Sequence, residues 1–454
     1  MKKTQDKLKE ECAVFGVSLK STDSADTVCN GLLSLQHRGQ ESAGIAVLDG
    51  MSIYCVKDTG LVTEIFYEKV LSKFPKSKLA VGHTRYSTTG ASSPINASPF
   101  VTEYLTGRIA VSHNGNITNS VEIKQRLIKI GVEFEATSDS EVISKLVAYR
   151  IAKTKNVLKG IIEAANELEG AFSLIIITNK GQLIAVRDPN GYRPLCIGKN
   201  ENGYAVASES CALDNCCFEF VRDVAPGEII VIENAEIVHT ENLLRECSKN
   251  GLCIFEYVYF ARPDSIIDGQ NVYTARYNMG AALAKEYPAD ADIVCGVPDS
   301  GLDAASGYSM VSGIPLVTGF VKNRYVGRSF ICTTQAQRET AVRIKLNPLP
   351  ASVKGKRVVL VDDSIVRGTT IKRIVDSLKN AGAKEVHLRI SSPPFKNVCN
   401  FGTDIGDAQK LIANKLDIEG ITKQIGADSL GYISLEGLKK SCSGCKLQFC
   451  TACF

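Results

Sequence analysis

The stretch Val358-Val-Leu-Val-Asp-Asp-Ser-Ile-Val-Arg-Gly-Thr-Thr370 decides how the second half of the chain folds. Val358 to Val361 read as a strand buried on both faces, with two acids, Asp362 and Asp363, at its carboxyl end. Gly368 permits a tight turn, and beyond it Ile371, Ile374, Val375 and Leu378 form one apolar face of a helix. Ligands of parallel sheets bind at such strand ends. A turn leading into a helix offers a phosphate unpaired N–H groups and the positive end of the helix dipole. Thr369 and Thr370 add hydroxyl donors. The acids suit ribose hydroxyls and a hydrated Mg²⁺, which prefers a few carboxylates plus substrate oxygens to an all-protein cage. The plain alternative is a helix cap with surface acids. An isolated Asp-Asp pair would be read that way; strand, acids, glycine turn and threonines in succession are not.

The surroundings repeat this grammar. "ADIVCGVP" (291–298), "IPLVTGFV" (314–321), "KRVVLVDDS" (356–364) and "EVHLRISSPP" (385–394) are near-continuous apolar runs between helical stretches. They predict a parallel α/β sheet covered on both faces. Before about residue 250 the pattern differs. "CAVFGVSL", "SAGIAVLDG", "RIAVSHNGNI", "AFSLIIIT" and "QLIAVRD" read as strands bounded by Gly, Asn and Asp. Between them "SDSEVISKLVAYRIAKT" places Val142, Ile143, Leu146, Val147 and Ile151 on one helical face. That order predicts layered α+β packing. The chain divides into a leader at 1–11, an α+β domain at 12–250, an α/β domain at 251–400 and a cysteine-rich segment at 401–454.

Composition narrows the function. A chain of 454 residues is too long for one ordinary core and suggests two or three domains. The net charge of +4 is spread along the chain without a basic run, which argues against a nucleic-acid partner. No apolar run is long enough to cross a bilayer, and the charged N-terminus lacks the apolar core of a secretory signal. Sixteen cysteines in a large chain without an export signal read as reduced cytoplasmic thiols, some free to bind metal.

The segment from Val358 resembles the 5-phosphoribosyl-1-pyrophosphate (PRPP) motif of type I phosphoribosyltransferases. The resemblance implies that Asp362 and Asp363 contact ribose and metal, with Ser300 of "GVPDSG" (296–301) near the same Mg²⁺. It implies further that Ser364, Arg367, Gly368, Thr369 and Thr370 cradle the 5-phosphate. "KNRYVGRSFI" and "VRIKLNP" look like the flexible lid, whose Arg324, Arg328, Arg343 and Lys345 would neutralise the departing pyrophosphate.

Cys12 opens the first strand. A thiol attacks as thiolate and needs a base; His37, His83 and His113 exist, but none is paired with it by local spacing. Its own α-amino group would serve, with a pKa near 8, once Met1 to Glu11 are removed. Alone, Cys12 reads as a buried strand thiol. However, "LQHRGQESAGI", "GHTRYSTTG", "AVSHNGNI" and "SDSE" match in order the blocks of class II glutamine amidotransferases with an N-terminal nucleophile. By that resemblance Cys12 attacks the glutamine amide, Arg85 pairs with the substrate carboxylate and Asp139 with its ammonium. Asn114 and Gly115 would form the oxyanion hole. Ala13 departs from the glycine that many such relatives carry, without harm to a strand.

Together with "EYVYFARPDSIIDG" from Glu256, these motifs cover nearly the whole chain and resemble the amidophosphoribosyltransferase family. The resemblance implies an N-terminal-nucleophile αββα sandwich followed by a type I phosphoribosyltransferase domain. It implies that ammonia from glutamine passes internally to C1 of PRPP, in a homo-oligomer inhibited by purine nucleotides. A non-catalytic PRPP sensor is the rival, though a sensor has no need of Cys12 or Arg85. The tail "SCSGCKLQFCTACF" holds two Cys-x-x-Cys pairs, Cys442/Cys445 and Cys450/Cys453. Four local thiolates suit zinc, but the pairs stand closer than the usual ribbon spacing of roughly 12–20 residues. The family offers a [4Fe–4S] cluster on Cys253, Cys399, Cys450 and Cys453 instead, leaving Cys442 and Cys445 without a role.

The N-terminal-nucleophile reading is testable directly. Mass spectrometry of active protein is expected to show loss of the first eleven residues. Their retention in protein fully active with glutamine would refute the mechanism. Cys12→Ala is expected to abolish glutamine use and to spare synthesis from added ammonia.

Overall fold

The computed structural model describes residues 12–86, 93–243, 251–323, 346–403, 405 and 407–454. The leader 1–11 and the lid residues Arg324, Arg328, Arg343 and Lys345 lie outside these. Among the described residues the first half contributes thirteen strands. They are β1 (Ala13–Leu19), β2 (Ser42–Asp49), β3 (Ser52–Thr59), β4 (Leu79–Arg85), β5 (Phe100–Tyr104), β6 (Gly107–Ile117) and β7 (Gly170–Thr178). β8 (Gln182–Arg187), β9 (Cys196–Asn200), β10 (Gly203–Ala207), β11 (Glu219–Asp223), β12 (Glu228–Glu233) and β13 (Glu236–Asn242) follow.

These strands form two antiparallel sheets, ordered β11-β9-β10-β1-β4-β2-β3 and β13-β12-β8-β7-β6-β5. Val14, Val81, Ile175, Ile177, Ile197 and Ile230 interdigitate between the sheets. On the outer face of the first sheet, Phe15 and Val17 pack with Val28 and Leu32 of helix Ser24–Ser34. On the outer face of the second, Ile109, Leu174 and Ile176 pack with Val142, Ile143, Leu146, Val147 and Ile151 of helix Asp139–Thr154. The result is the αββα sandwich. Because both faces of each sheet are covered, the central strands carry apolar residues on both faces, where a half-exposed sheet would alternate.

The second half builds a four-stranded parallel sheet in the order Ile293–Gly296, Arg357–Asp362, Glu385–Ile390, Ser429–Tyr432. Helices Val272–Glu286 and Gly301–Ser312 cover one face through Met279, Leu283, Ala304 and Tyr308. Helices Thr369–Asn380 and Ile418–Ile425 cover the other through Ile371, Ile374, Val375, Leu378 and Ile421. The apolar stripe read after Gly368 is the buried face. Two features differ from the sequence pattern. The fourth strand comes from within the cysteine-rich segment, and "IPLVTGFV" does not extend the sheet. Leu316 makes only an isolated parallel bridge to Val294, and Phe320–Lys322 pairs instead with Leu346–Pro348. Pro315 accepts from Val294 N–H through its carbonyl but has no N–H of its own to lengthen a ladder.

One polar bond ties the two antiparallel sheets near one end. The ring Nε2 of His83 on β4 lies 2.9 Å from the carbonyl of His113 on β6 and donates to it. Burial pushes the His83 imidazole down to about 3, with Arg85 and His113 adding to the effect against that carbonyl bond. An unfolded histidine titrates near 6.5. Folded protein thus binds fewer protons between these values, so the stabilisation is complete above pH 6.5 and is lost as pH falls. The slope for one such group is at most ~1.4 kcal/mol per pH unit. The unfolding midpoint is expected to drop from pH 7 to pH 5, and to drop less steeply in His83→Gln. Equal slopes in parent and variant would show that His83 is not a source of the acid lability.

Candidate active sites

The register Ala13↔Thr84 continues one step to set Cys12 beside Arg85, at a shared end of β1 and β4. The Cys12 thiol donates to the carbonyl of Tyr86 at 3.4 Å. Arg85 is buried, and its own carbonyl accepts from Glu41 N–H at 3.1 Å. The His83–His113 bond brings the end of β6 to the same place, and with it Asn114 and Gly115. Asp139 begins helix Asp139–Thr154, whose cap is Ser138 accepting from Ser140 N–H. The Asp139 carboxylate accepts from Ile117 N–H at 3.2 Å and lies 3.9 Å from His113 Nδ1. All five glutaminase residues read from the sequence therefore meet at one end of the sandwich.

Asn114 is fully buried, and neither its amide nitrogen nor its amide oxygen has a hydrogen-bond partner among the described residues. Leaving a buried polar group unpaired costs about 1–3 kcal/mol. Gly115 has φ +140°, and a Cβ there would fall 2.1 Å from the carbonyl oxygen of Ala171. Only glycine fits.

Behind Cys12 lies a set of charges that spans both halves of the chain, buried except for His37 at its edge. Arg38 Nε donates to the carbonyl of Cys12 at 3.1 Å. Its Nη1 reaches Glu209 at 2.7 Å and Glu256 at 2.9 Å, and its Nη2 reaches Glu256 at 3.0 Å. Arg193 adds a contact to Glu256 at 3.4 Å, and His37 one to Glu209 at 2.8 Å. Burial alone would raise the Glu209 carboxyl, but His37, Arg38 and Ser265 outweigh it and hold the group well below the carboxylate range. Glu256 is likewise held down by Arg38 and Arg193 against its burial. These residues were not assigned roles by sequence reasoning. Arg38 stands inside a quoted block, yet its partners lie 171 and 218 positions away, beyond any local pattern.

At the other centre, Asp362 and Asp363 end strand Arg357–Asp362 and are almost fully buried. Asp363 accepts from the hydroxyl of Ser300 at 2.5 Å and from that of Ser364. Gly368, at φ +85°, caps helix Thr369–Asn380, so Ser364 to Thr370 form the turn at its N-terminus. Burial first, then the charges of Asp363 and Asp362, push the phenol of Tyr259 well above the usual range. Arg276 donates to the carbonyls of Tyr257 and Ala261 at 2.8 and 2.7 Å, bracketing the turn that carries both Tyr259 and Glu256.

The cysteines separate into two groups. Cys253 lies opposite Cys450 in a parallel pair, Leu252–Cys253 with Phe449–Cys450. Burial raises the Cys450 and Cys453 thiols, and the nearby Cys399 raises both further. Burial and then Cys445 raise the Cys442 thiol in the core beneath the tail, while part-buried Cys445 is raised by burial against the lowering effect of Tyr257. Among the described residues no three His, Cys, Asp or Glu side chains stand close enough to hold a single metal ion. The 14 described cysteines are free of disulfides, and no described helix is long and apolar enough to cross a membrane.

Comparison with known proteins agrees with this division. Residues 83–215 match the model of a glutamine amidotransferase domain and residues 265–392 that of a phosphoribosyl transferase domain. Amidophosphoribosyltransferase of Methanocaldococcus jannaschii is 47% identical, over 97% of this chain and 96% of its own. That of Synechocystis is 48% identical over 99% and 91%. A solved structure of the Bacillus subtilis glutamine PRPP amidotransferase complexed with ADP and GMP is 43% identical. It superposes with a TM-score of 0.89 over 98% of this chain and 96% of that one.

Proposed function

The chain belongs to the amidophosphoribosyltransferase family, and from that premise we propose how its residues divide the work. The enzyme hydrolyses glutamine and transfers the ammonia to C1 of PRPP, giving 5-phosphoribosylamine, pyrophosphate and glutamate. This is the first step of de novo purine synthesis. The observation that carries the assignment of residues is Asn114, whose buried amide lacks any described partner beside the positive-φ Gly115.

At the first site the Cys12 thiol gives its proton to its own α-amino group, freed by removal of residues 1–11, and attacks the glutamine amide carbon. Arg85 holds the substrate carboxylate and Asp139 its ammonium. The Asn114 amide and the Gly115 N–H receive the charge that develops on the oxygen. Ammonia departs, leaving a thioester that water then hydrolyses. An internal passage keeps the ammonia neutral, since ammonium is no nucleophile. The intact Cys12, Arg85 and Asn114 set disfavours a protein that only senses PRPP.

At the second site Asp362 and Asp363 hold the ribose hydroxyls, and with Ser300 they would hold Mg²⁺, which neutralises charge on the pyrophosphate. Ser364, Arg367, Gly368, Thr369 and Thr370 take the 5-phosphate at the helix N-terminus. Arg324, Arg328 and Lys345, outside the described residues, are assigned to the departing pyrophosphate.

Cys253, Cys399, Cys450 and Cys453 suit a [4Fe–4S] cluster. A cluster of this kind takes four cysteine thiolates, and Cys253 stands opposite Cys450 in the tail pairing, with Cys399 near Cys450 and Cys453. Its contribution would be structural, holding the tail to both halves of the chain. We further infer inhibition by purine nucleotides, supported by the ADP and GMP bound to the Bacillus subtilis relative. A homo-oligomer follows from the family resemblance, and a cytoplasmic location from the free thiols.

Two measurements test these assignments. Replacing Asp362 and Asp363 with Ala is expected to lower synthesis from either glutamine or ammonia on the order of 10²–10³-fold. Normal ammonia-dependent synthesis would end the phosphoribosyl assignment. Protein purified without oxygen should be brown and hold about four iron and four sulfide per chain. Colourless protein with stoichiometric zinc, from cells competent in cluster assembly, would replace the cluster with a zinc site.

A further inference from the structure

Asn400–Gly402 belongs by sequence to the end of the chain, yet it lies against the end of β6 that carries Asn114 and Gly115. Asn116 Nδ2 donates to the carbonyl of Asn400 at 2.9 Å. Arg193 Nη2 donates to the carbonyl of Phe401 at 2.6 Å. The rings of Tyr192 and Phe401 stack with centroids 4.4 Å apart and planes 17° apart. Gly402 has φ +118°, and a Cβ there would fall 2.8 Å from Arg193 Nη2 and 3.6 Å from the carbonyl carbon of Gly115. The peptide joining Gly115 to Asn116 is therefore held on one side by its ladder to Ala171 and Phe172, and on another by this loop.

Gly115 sits in a backbone region where rotation costs glycine little, so its N–H points where its neighbours hold it. A donor in an oxyanion hole works only if it is aimed before charge develops. We propose that Asn400–Gly402 is a seat that aims the Asn114–Gly115 donors, so that the last part of the chain completes the glutaminase site. Phe401 and Gly402 are positioning residues: they act through Tyr192, Arg193 and the Gly115 peptide and do not touch glutamine. Arg193 also contacts Glu256, which joins the seat to the charge set behind Cys12. The inference rests on the reading of Asn114 and Gly115 as oxyanion donors.

The test compares Phe401→Ala, Phe401→Tyr and Gly402→Ala with Asn114→Ala and the parent, in the full-length enzyme with glutamine or ammonia as donor. Phe401→Ala and Gly402→Ala are expected to lower kcat with glutamine about tenfold or more, with KM for glutamine within about threefold. Their ammonia-dependent rates should stay within about twofold of the parent, and Phe401→Tyr, which keeps the stacked ring, should behave as the parent does. A proportional fall with both donors would mean that the loop only holds the fold together, and would overturn the seat. So would unchanged glutamine kinetics in both Phe401→Ala and Gly402→Ala. If Asn114→Ala itself leaves glutamine hydrolysis intact, the oxyanion reading fails first and the seat with it. A crippled Asn114→Ala beside normal loop variants sinks the seat alone.

Discussion

The guanidinium of Arg38 is the point on which the two halves of this enzyme close. It is fully buried, and its donors go to the carbonyl of Cys12, to Glu209 of the first half and to Glu256 of the second. Removing such charges from water costs several kcal/mol per ion, and only near-complete hydrogen bonding offsets it. Arg38 meets that condition through its fork-like geometry, which matches carboxylates in pairs. Such a set is weak evidence for stability. Removing one partner of the set would leave a buried charge uncompensated, at ~3–5 kcal/mol.

That constraint places the two chemistries in one frame. Glu256 and Tyr259 share a single turn, held at both ends by Arg276. Glu256 binds Arg38, which in turn donates to the carbonyl of Cys12, whereas the phenol of Tyr259 is raised by Asp363 and Asp362 as well as by burial. One short turn thus carries a residue coupled to each candidate site.

Much of this was legible in the sequence wherever function is carried by neighbours along the chain. The strand ending in Asp362 and Asp363, the positive-φ turn at Gly368 and the helical stripe from Ile371 to Leu378 appear as read. So does the buried face of helix Asp139–Thr154. The gathering of Cys12, Arg85, Asn114, Gly115 and Asp139 needed the family's blocks, because spacing alone left each with an ordinary explanation. Two things escaped. "IPLVTGFV" has the composition of a sheet strand, but Pro315 cannot continue a ladder. The Arg38–Glu256 pair and the bond of Asn116 to the carbonyl of Asn400 join residues 218 and 284 positions apart; such meetings leave no periodicity to read.

The parallel pairing of Leu252–Cys253 with Phe449–Cys450 has a consequence for the order in which the enzyme is made. A ribosome delivers Cys12, Arg85, Asn114 and Asp139 in the first third of synthesis, long before Glu256 and longer before Asn400. The fourth strand of the parallel sheet, Ser429–Tyr432, emerges later still, and the pairing that returns the tail to the domain junction comes last. A nascent chain therefore carries Cys12 well before Glu256, Asn400 and the returning tail have been made.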